Sequence, residues 1–545
     1  MKVKLLSSIL LMTNLIFAQS QLATIKKGPE LIGSRKGSIT SYLGMDDDAY
    51  YFSAYIKNDK LIERLDRNLD NPTSFIFEDK DPVTKEKYLL HSRIYFADKL
   101  YQFKMNTNKE TKTQNLLAEE INKKTMVSKG HLKKIAEIQY EKNNNKGTYN
   151  LEPSPDERYL MVIENIPVEK EENEKFNVVM CDRDLNLVWK KDIELPYINS
   201  LFLHEDNFLD EEGNLYVLGK LYKDKVREKR NGEVNSSYHI IAYRNEASEK
   251  FDYELKLPEK YISSVTMSIN NEGNIVCAGF YSKVSINSID GSFFLTLDSK
   301  TKAVISSNYK EFDIEFMTEY MTEAQEKKAK KREDKGKDDE MMKYSLRKMI
   351  HRSDGGVLLV AEQYYITVSN STNSSGQITT IYTYHYNDII IVNIDPTGKI
   401  AWAKKIPKVQ INSVNIGTVN LGMFSGPFSA GVAVTSTLIG TNSPYSSYAL
   451  TVTNKMLYFI YNDHIDNLDI EKTKRLKNFT VGDRKGVVVL ASMDYSGKLK
   501  REILISNKEL EVAIRPAVCE QIDENQLMIF GEVGKLEQFG IVTFQ

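Results

Sequence analysis

Cysteine is scarce in this chain. Three occur in 545 residues, Cys181, Cys277 and Cys519, far apart and each inside an apolar, strand-like stretch. An oxidising compartment would favour an even, patterned set if disulfides held the fold, so a disulfide scaffold is excluded. No CxxC pair or neighbouring histidine accompanies them, which leaves three buried free thiols as the expectation. Charge of one sign is also lacking: 73 Lys plus Arg face 75 Asp plus Glu, a formal net of −2. Phosphate backbones demand a basic face that this balance does not supply, so nucleic acid is excluded as a partner. Beyond the N-terminus there is no run of about 18 uncharged apolar residues, so no spanning helix is expected. The chain is still 41% apolar, enough for a real core, and wholesale disorder is excluded.

The N-terminus reads MKVKLLSSILLMTNLIFAQS. Lys2 and Lys4 precede an apolar stretch from Leu5 to Phe17, and Ala18, Gln19 and Ser20 make a small, polar exit. That order predicts a signal peptide over residues 1–19, hence export to the periplasm, cell surface or medium. Removing its two lysines takes the net charge from −2 to −4. No Cys follows the apolar stretch, so a lipid anchor is not expected, and surface delivery through a sorting domain after IVTFQ is not expected either.

Motifs of known chemistry are missing too. None of the seven histidines forms HExxH, and there is no GxSxG elbow, Walker loop or SxDxGxTW box. Asp46, Asp47 and Asp48 resemble a calcium loop in charge alone, without its glycine or closing glutamate. Catalytic residues, metal ligands and cofactors are therefore not assigned.

What is present is a repeat. FLDEEGNLYVLGKLY, SINNEGNIVCAGFY and MIHRSDGGVLLVAEQYY each lead an apolar strand through a polar turn into a second, alternating strand. Two further strands follow each time, as in DIIIVNIDPTGKIAWAKKIP. β-Branched and aromatic residues between Gly, Asn and Asp turns are the antiparallel signal. Weaker copies of the first turn fall near Asp47, Asp98, Asp156, Asn454 and Asn525, giving eight markers in all. Eight four-stranded units in series suit an all-β fold, a β-propeller, with eight blades favoured over seven. A smaller propeller joined to a β-sandwich is the runner-up. The last unit stops after its third strand, and the segment LATIKKGPEL at residues 22–31 is positioned to supply the fourth and clasp the ring.

The turn between third and fourth strands, clearest at Asp395, Gly398, Lys399 and Trp402, resembles the blade signature of pyrroloquinoline-quinone-type propellers. Those enzymes carry a docking Trp in nearly every blade, whereas this chain has only Trp189 and Trp402, so the resemblance implies the fold and no quinone. The leader ending IFAQS and the stretch SDGGVLLVAEQYY…YNDIIIVNIDPTGKIAWAKKIPKVQ also resemble secreted propeller-like proteins of Bacteroidota. That resemblance implies no activity.

Residues 20–545 are thus expected to form one propeller domain with insertions at 314–344, 364–386 and 408–446. Connections between second and third strands, and between units, emerge on one face of such a disc, and here they hold nearly all the added chain. Loops on a rigid scaffold are where binding concentrates. The insertion at 319–343 is dense in both charges and reads as a solvated helix or a docking arm. Residues 408–446 are uncharged after Lys408 and contain Phe424 and Phe428. The hairpin 364–386 brings Tyr382, Tyr384 and Tyr386 to one face by period-2 spacing, with Tyr364 nearby. These six aromatics are the candidate binding residues. Cross-strand packing within the hairpin is the plainer alternative. The functional expectation is a monomeric, non-enzymatic binding or scaffolding propeller that engages protein or glycan through its loop-rich face. A polysaccharide hydrolase or lyase working at the central pore, and a structural part of an envelope complex, are the alternatives.

Overall fold

The computed structural model describes residues 22–32, 37–57, 59–81, 83–226, 229–230, 233–257, 260–270, 272–283, 288–301, 303–320, 323, 326–327, 330–331, 341–342, 344–352, 354–372, 378–416, 444–469, 476–506, 513–533 and 536–545. The leader, Phe424, Phe428 and most of the charged insertion lie outside the described residues.

Eight antiparallel sheets follow one another along the chain. They are blades one to eight, spanning 37–76, 89–139, 148–198, 202–255, 261–311, 344–406, 449–506 and 513–544. Blade eight takes its outermost strand from the other end of the chain: Ala23–Ile32 runs antiparallel to Leu536–Phe544, with Ala23 opposite Phe544. The chain is therefore an eight-bladed propeller clasped by its N-terminal strand. All eight turn markers fall between first and second strands.

Each blade is laid out radially. First strands of neighbouring blades touch, as between blades four and five and between five and six, so they surround the axis. The middle strands are sandwiched between two neighbouring blades, and they read as apolar runs for that reason. Every residue of Ile275–Ser282 and Gly291–Leu297 is buried, whereas the outer strand Val304–Glu311 is largely exposed.

The core is divided into eight seams, one per pair of adjacent blades, including the pair eight and one that closes the ring. Among the described residues seven seams hold between 13 and 16 buried apolar side chains. The seam between blades one and two holds six: Ala49, Tyr51, Ile62, Leu100, Ile121 and Met126.

One face of the disc is plain because its turns share one local chemistry. At Asp210 the carboxylate accepts the main-chain N–H groups of Glu212 and Asn214, at 3.0 and 2.8 Å. Asp395 does the same with Thr397 and Lys399, and Asp494 with Ser496 and Lys498. The fourth residue of each turn sits at positive φ, which glycine adopts at least cost; Gly398 lies at +80°. Leu69 and Leu185 occupy the same left-handed place at +64° and +59°. Both are buried in the seams, so apolar contact offsets their backbone strain.

Candidate functional site

The opposite face is dominated by blade six. Its two middle strands, Val357–Thr372 and Ile378–Ile394, are 16 and 17 residues long, against six to ten in every other blade. The excess of about eight residues projects the hairpin roughly 25 Å beyond the disc. A further strand, Gln410–Ile416, pairs with the projecting part from Tyr386 to Thr380. Together they form a three-stranded lobe. Residues 363–387 and 409–416 contain no Asp, Glu, Lys or Arg, in a chain where these make up 27%. An exposed sheet without charge is unusual by that measure and makes the lobe a candidate contact surface.

The lobe has two faces, and the tyrosine row is on the closed one. Tyr364 pairs with Tyr386 in register, with ring centroids 4.8 Å apart. Tyr384 and Tyr386 are buried, at 1% and 2% exposure, and Tyr364 and Tyr382 are half-buried. The row turns toward Arg347, whose guanidinium lies 5.6 Å from the Tyr364 ring. Tyr384 and Tyr386 are thus packing residues, because the hairpin leans this face onto the blade. The odd-numbered residues form the other face. There Tyr365 stacks on His385, centroids 4.3 Å apart and 9° from parallel. Thr367 Oγ1 lies 3.1 Å from His385 Nε2, and Thr383 and Ser413 share a hydroxyl contact at 2.9 Å. The result is an aromatic platform edged by hydroxyls.

A buried ionic cluster roots the lobe. Glu362 and Lys408 are both fully buried and pair at 2.8 Å. Arg347 reaches the second Glu362 oxygen at 2.9 Å, and the Ser447 hydroxyl donates to it at 2.7 Å. Lys408 Nζ also donates to the Tyr386 carbonyl and to Gln410 Oε1. Gln410 in turn donates to the Asn462 carbonyl, tying the lobe to blade seven. Burial alone would raise the Glu362 carboxyl. The two cations and the hydrogen bonds from Lys408 and Ser447 outweigh it and hold the group below its usual range.

The axis is polar. Burial raises the Glu152 carboxyl, and neighbouring Asp206 adds to the effect. Asp206 is itself raised by burial, against the Asn207 N–H and His204. Glu520 of blade eight is raised by burial and eased by Lys348 of blade six. In blade three, burial lifts Glu174 to about 7. A Ser–His–Asp chain also exists on blade four: Ser237 Oγ is 3.1 Å from His239 Nε2, and His239 Nδ1 is 3.0 Å from Asp252 Oδ1. Tyr197 of blade three occupies the same Nδ1 and the second Asp252 oxygen, so this cluster locks two blades together. The thiols are buried, and burial raises Cys181 to about 11 and Cys519 to about 12. Among the described residues no group of His, Cys, Asp and Glu is arranged to hold a metal ion, and no helix is long and apolar enough to cross a membrane.

Sequence reasoning missed Tyr365, His385 and the Glu362–Lys408 pair. For the pair the signal was a lone Glu inside the apolar run VLLVAEQYY; for the platform it was the same alternation that aligned the tyrosines.

No family model matches the chain, and no curated protein matches it. Among solved structures it is similar to the β-propeller domain of the Trilobed protease from Pyrococcus furiosus, at 10% identity over 72% of this chain and 100% of that one, TM-score 0.31. A protein from Listeria monocytogenes EGD-e matches at 11% identity over 82% and 89%, TM-score 0.33. Prolyl oligopeptidase B from Galerina marginata matches at 8% over 92% and 55%, TM-score 0.37. Likenesses this distant transfer no residue and no activity.

Proposed function

We propose that this is an exported binding propeller that engages a neutral ligand, glycan in preference to protein, through the lobe of blade six. The carrying observation is the charge-free lobe with the Tyr365–His385 platform on its open face. A flat aromatic stack offers its surface to the apolar face of a sugar ring, and the flanking hydroxyls of Thr367, Thr383 and Ser413 suit its edge. Export rests on the leader. The test is a neutral oligosaccharide array and a protein pull-down with the mature chain, followed by titration of any captured ligand against Tyr365→Ala and His385→Ala. Loss of the platform is expected to weaken binding roughly tenfold per residue with the fold intact. Unchanged affinity in the double variant overturns the reading, and capture of a protein alone selects the other ligand class.

A second reading rests on the raised carboxyls of Glu152 and Asp206 on neighbouring inner strands: hydrolysis of polysaccharide at the pore. It requires turnover of a polysaccharide that Glu152→Gln and Asp206→Asn abolish.

A further inference from the structure

We propose that the seam between blades one and two is a binding site for a small oxyanion, gripped by Arg93 and entered from the axis. This is the seam with the thinnest apolar core, and polar side chains fill the remaining space. On blade two, Leu100 belongs to the seam core, so alternation points Gln102 and Lys104 the same way. Arg93 lies directly opposite Gln102 in register. On blade one, Ile62 belongs to the seam core and Arg64 follows it on the same face. On blade two the acid facing Gln102 and Lys104, Glu119, is already committed: it pairs with Lys104 at 2.9 Å and accepts from Gln102 and from Ser128.

Arg93 has no such partner. Its Nη1 donates to Ser53 Oγ at 2.9 Å across the seam. Its Nε and Nη2 are buried without an acceptor among the described residues, and so is Nε of Arg64. With Lys104 neutralised by Glu119, and Arg64 within reach of the Asp66 charge, Arg93 is the guanidinium of this seam that no carboxylate meets. Burial alone pulls Arg93 down to about 10, and no acid opposes it. Buried Lys408, by contrast, is paired with Glu362. A guanidinium presenting adjacent Nε and Nη2 donors is the fork that matches two oxygens of a phosphate, sulfate or carboxylate. Arg93 stands on the inner strand Leu89–Phe96, which places it on the axial side of the seam, and an anion is proposed to enter from there. The inference is independent of the glycan reading, since the lobe and this seam share no residue.

The competing arrangement is a water held between Arg93 and Gln102, whose Oε1 also lacks a partner among the described residues. Thermal melts and calorimetric titration of the full mature chain with inorganic phosphate distinguish the two, with sodium chloride at matched ionic strength as control and acetate as the planar oxyanion. Saturable stabilisation by phosphate or acetate beyond chloride is expected, its preference reporting the shape of the natural group. Arg93→Met is expected to abolish that response and to melt higher than wild type in anion-free buffer, because an unpaired buried charge is gone. Arg93→Lys keeps the charge and loses the fork, so it is expected to fold and to bind at least tenfold more weakly. No response beyond chloride, or an equal response in both variants, overturns the proposal.

Discussion

Lys408→Met is the sharpest test of how the lobe is held. The substitution keeps the length of the side chain and removes the charge that sits 2.8 Å from Glu362, both groups being fully buried. The consequence is not the loss of one attraction but the stranding of a carboxylate. Glu362 keeps Arg347 and Ser447 on one oxygen, and loses both its charge partner and its donor on the other. The Tyr386 carbonyl and Gln410 Oε1 lose a donor as well. Breaking a buried pair from one side typically costs about 3–5 kcal/mol. The unfolding entropy of about 2.1 cal/mol/K per residue, over 545 residues, converts that into a melting shift of roughly 3–4 °C. The loss should be greater at neutral pH than in acid. Glu362 has a folded pKa below its unfolded one, so its stabilisation is complete above the unfolded value and disappears as pH falls through the folded value. The assay is differential scanning calorimetry at pH 7 and pH 4, with hydrogen exchange followed over Tyr364–Tyr365 and Tyr382–Tyr386. Exposed Lys142→Met, which removes the surface partner of Glu169, is the control and should leave the melt unchanged. A Lys408→Met melt within 1 °C of wild type, or equal losses at both pH values, would refute the claim that this pair roots the lobe.

Two other substitutions test the interior and the plain face. Asp463 is buried, and burial raises its pKa to about 6 against its Asn467 and His464 hydrogen bonds. A raised folded pKa makes the carboxyl a liability that grows from pH 3.8 to about pH 6 and then stays constant. Asp463→Asn should therefore stabilise the protein at pH 7.5 by up to about 3 kcal/mol and give no gain near pH 3.5, read from urea melts at both. Asp395→Ala removes an acceptor of two main-chain N–H groups and should cost about 1–2 kcal/mol at pH 7. That difference should vanish in acid, because Thr397 and Lys399 hold the Asp395 carboxyl below 3.8 and its contribution is lost only as pH drops through that depressed value.

Legibility in the sequence followed the range of the interaction. The turns were readable because an Asp carboxylate and a glycine three residues on close the same loop wherever they occur, as at Asp210–Gly213 and Asp395–Gly398. Repetition of that short-range chemistry gave the blade count, and the missing fourth strand of the last blade gave the clasp. The site was less readable. Alternation assigns Tyr382, Tyr384 and Tyr386 to one face and Tyr365 and His385 to the other, but which face is open depends on Arg347 and Glu362 beneath. Glu362 and Lys408 lie 46 residues apart and meet because Gln410–Ile416 folds back on the hairpin. No local pattern encodes that return. The thin seam was equally hidden, since Gln102 and Lys104 sit in a strand that alternates like any other.

The two polar seams differ in one respect that decides what each can do. Between blades six and seven, each cation has an acid within the chain: Glu362 pairs with both Lys408 and Arg347, Asp463 and Asp388 add negative charge toward Lys408, and these groups span elements that must be fixed relative to each other. Such a cluster orders the lobe and leaves nothing for a ligand to add. Between blades one and two, Glu119 is matched by Lys104, Arg64 has Asp66 nearby, and the guanidinium of Arg93 is left over. Leftover positive charge costs stability in the empty protein, and anything that supplies two oxygens recovers it. Among the described residues that seam also has the smallest buried apolar core. An acid-free guanidinium and a thin apolar core therefore coincide in this seam, and the proposed site draws on both.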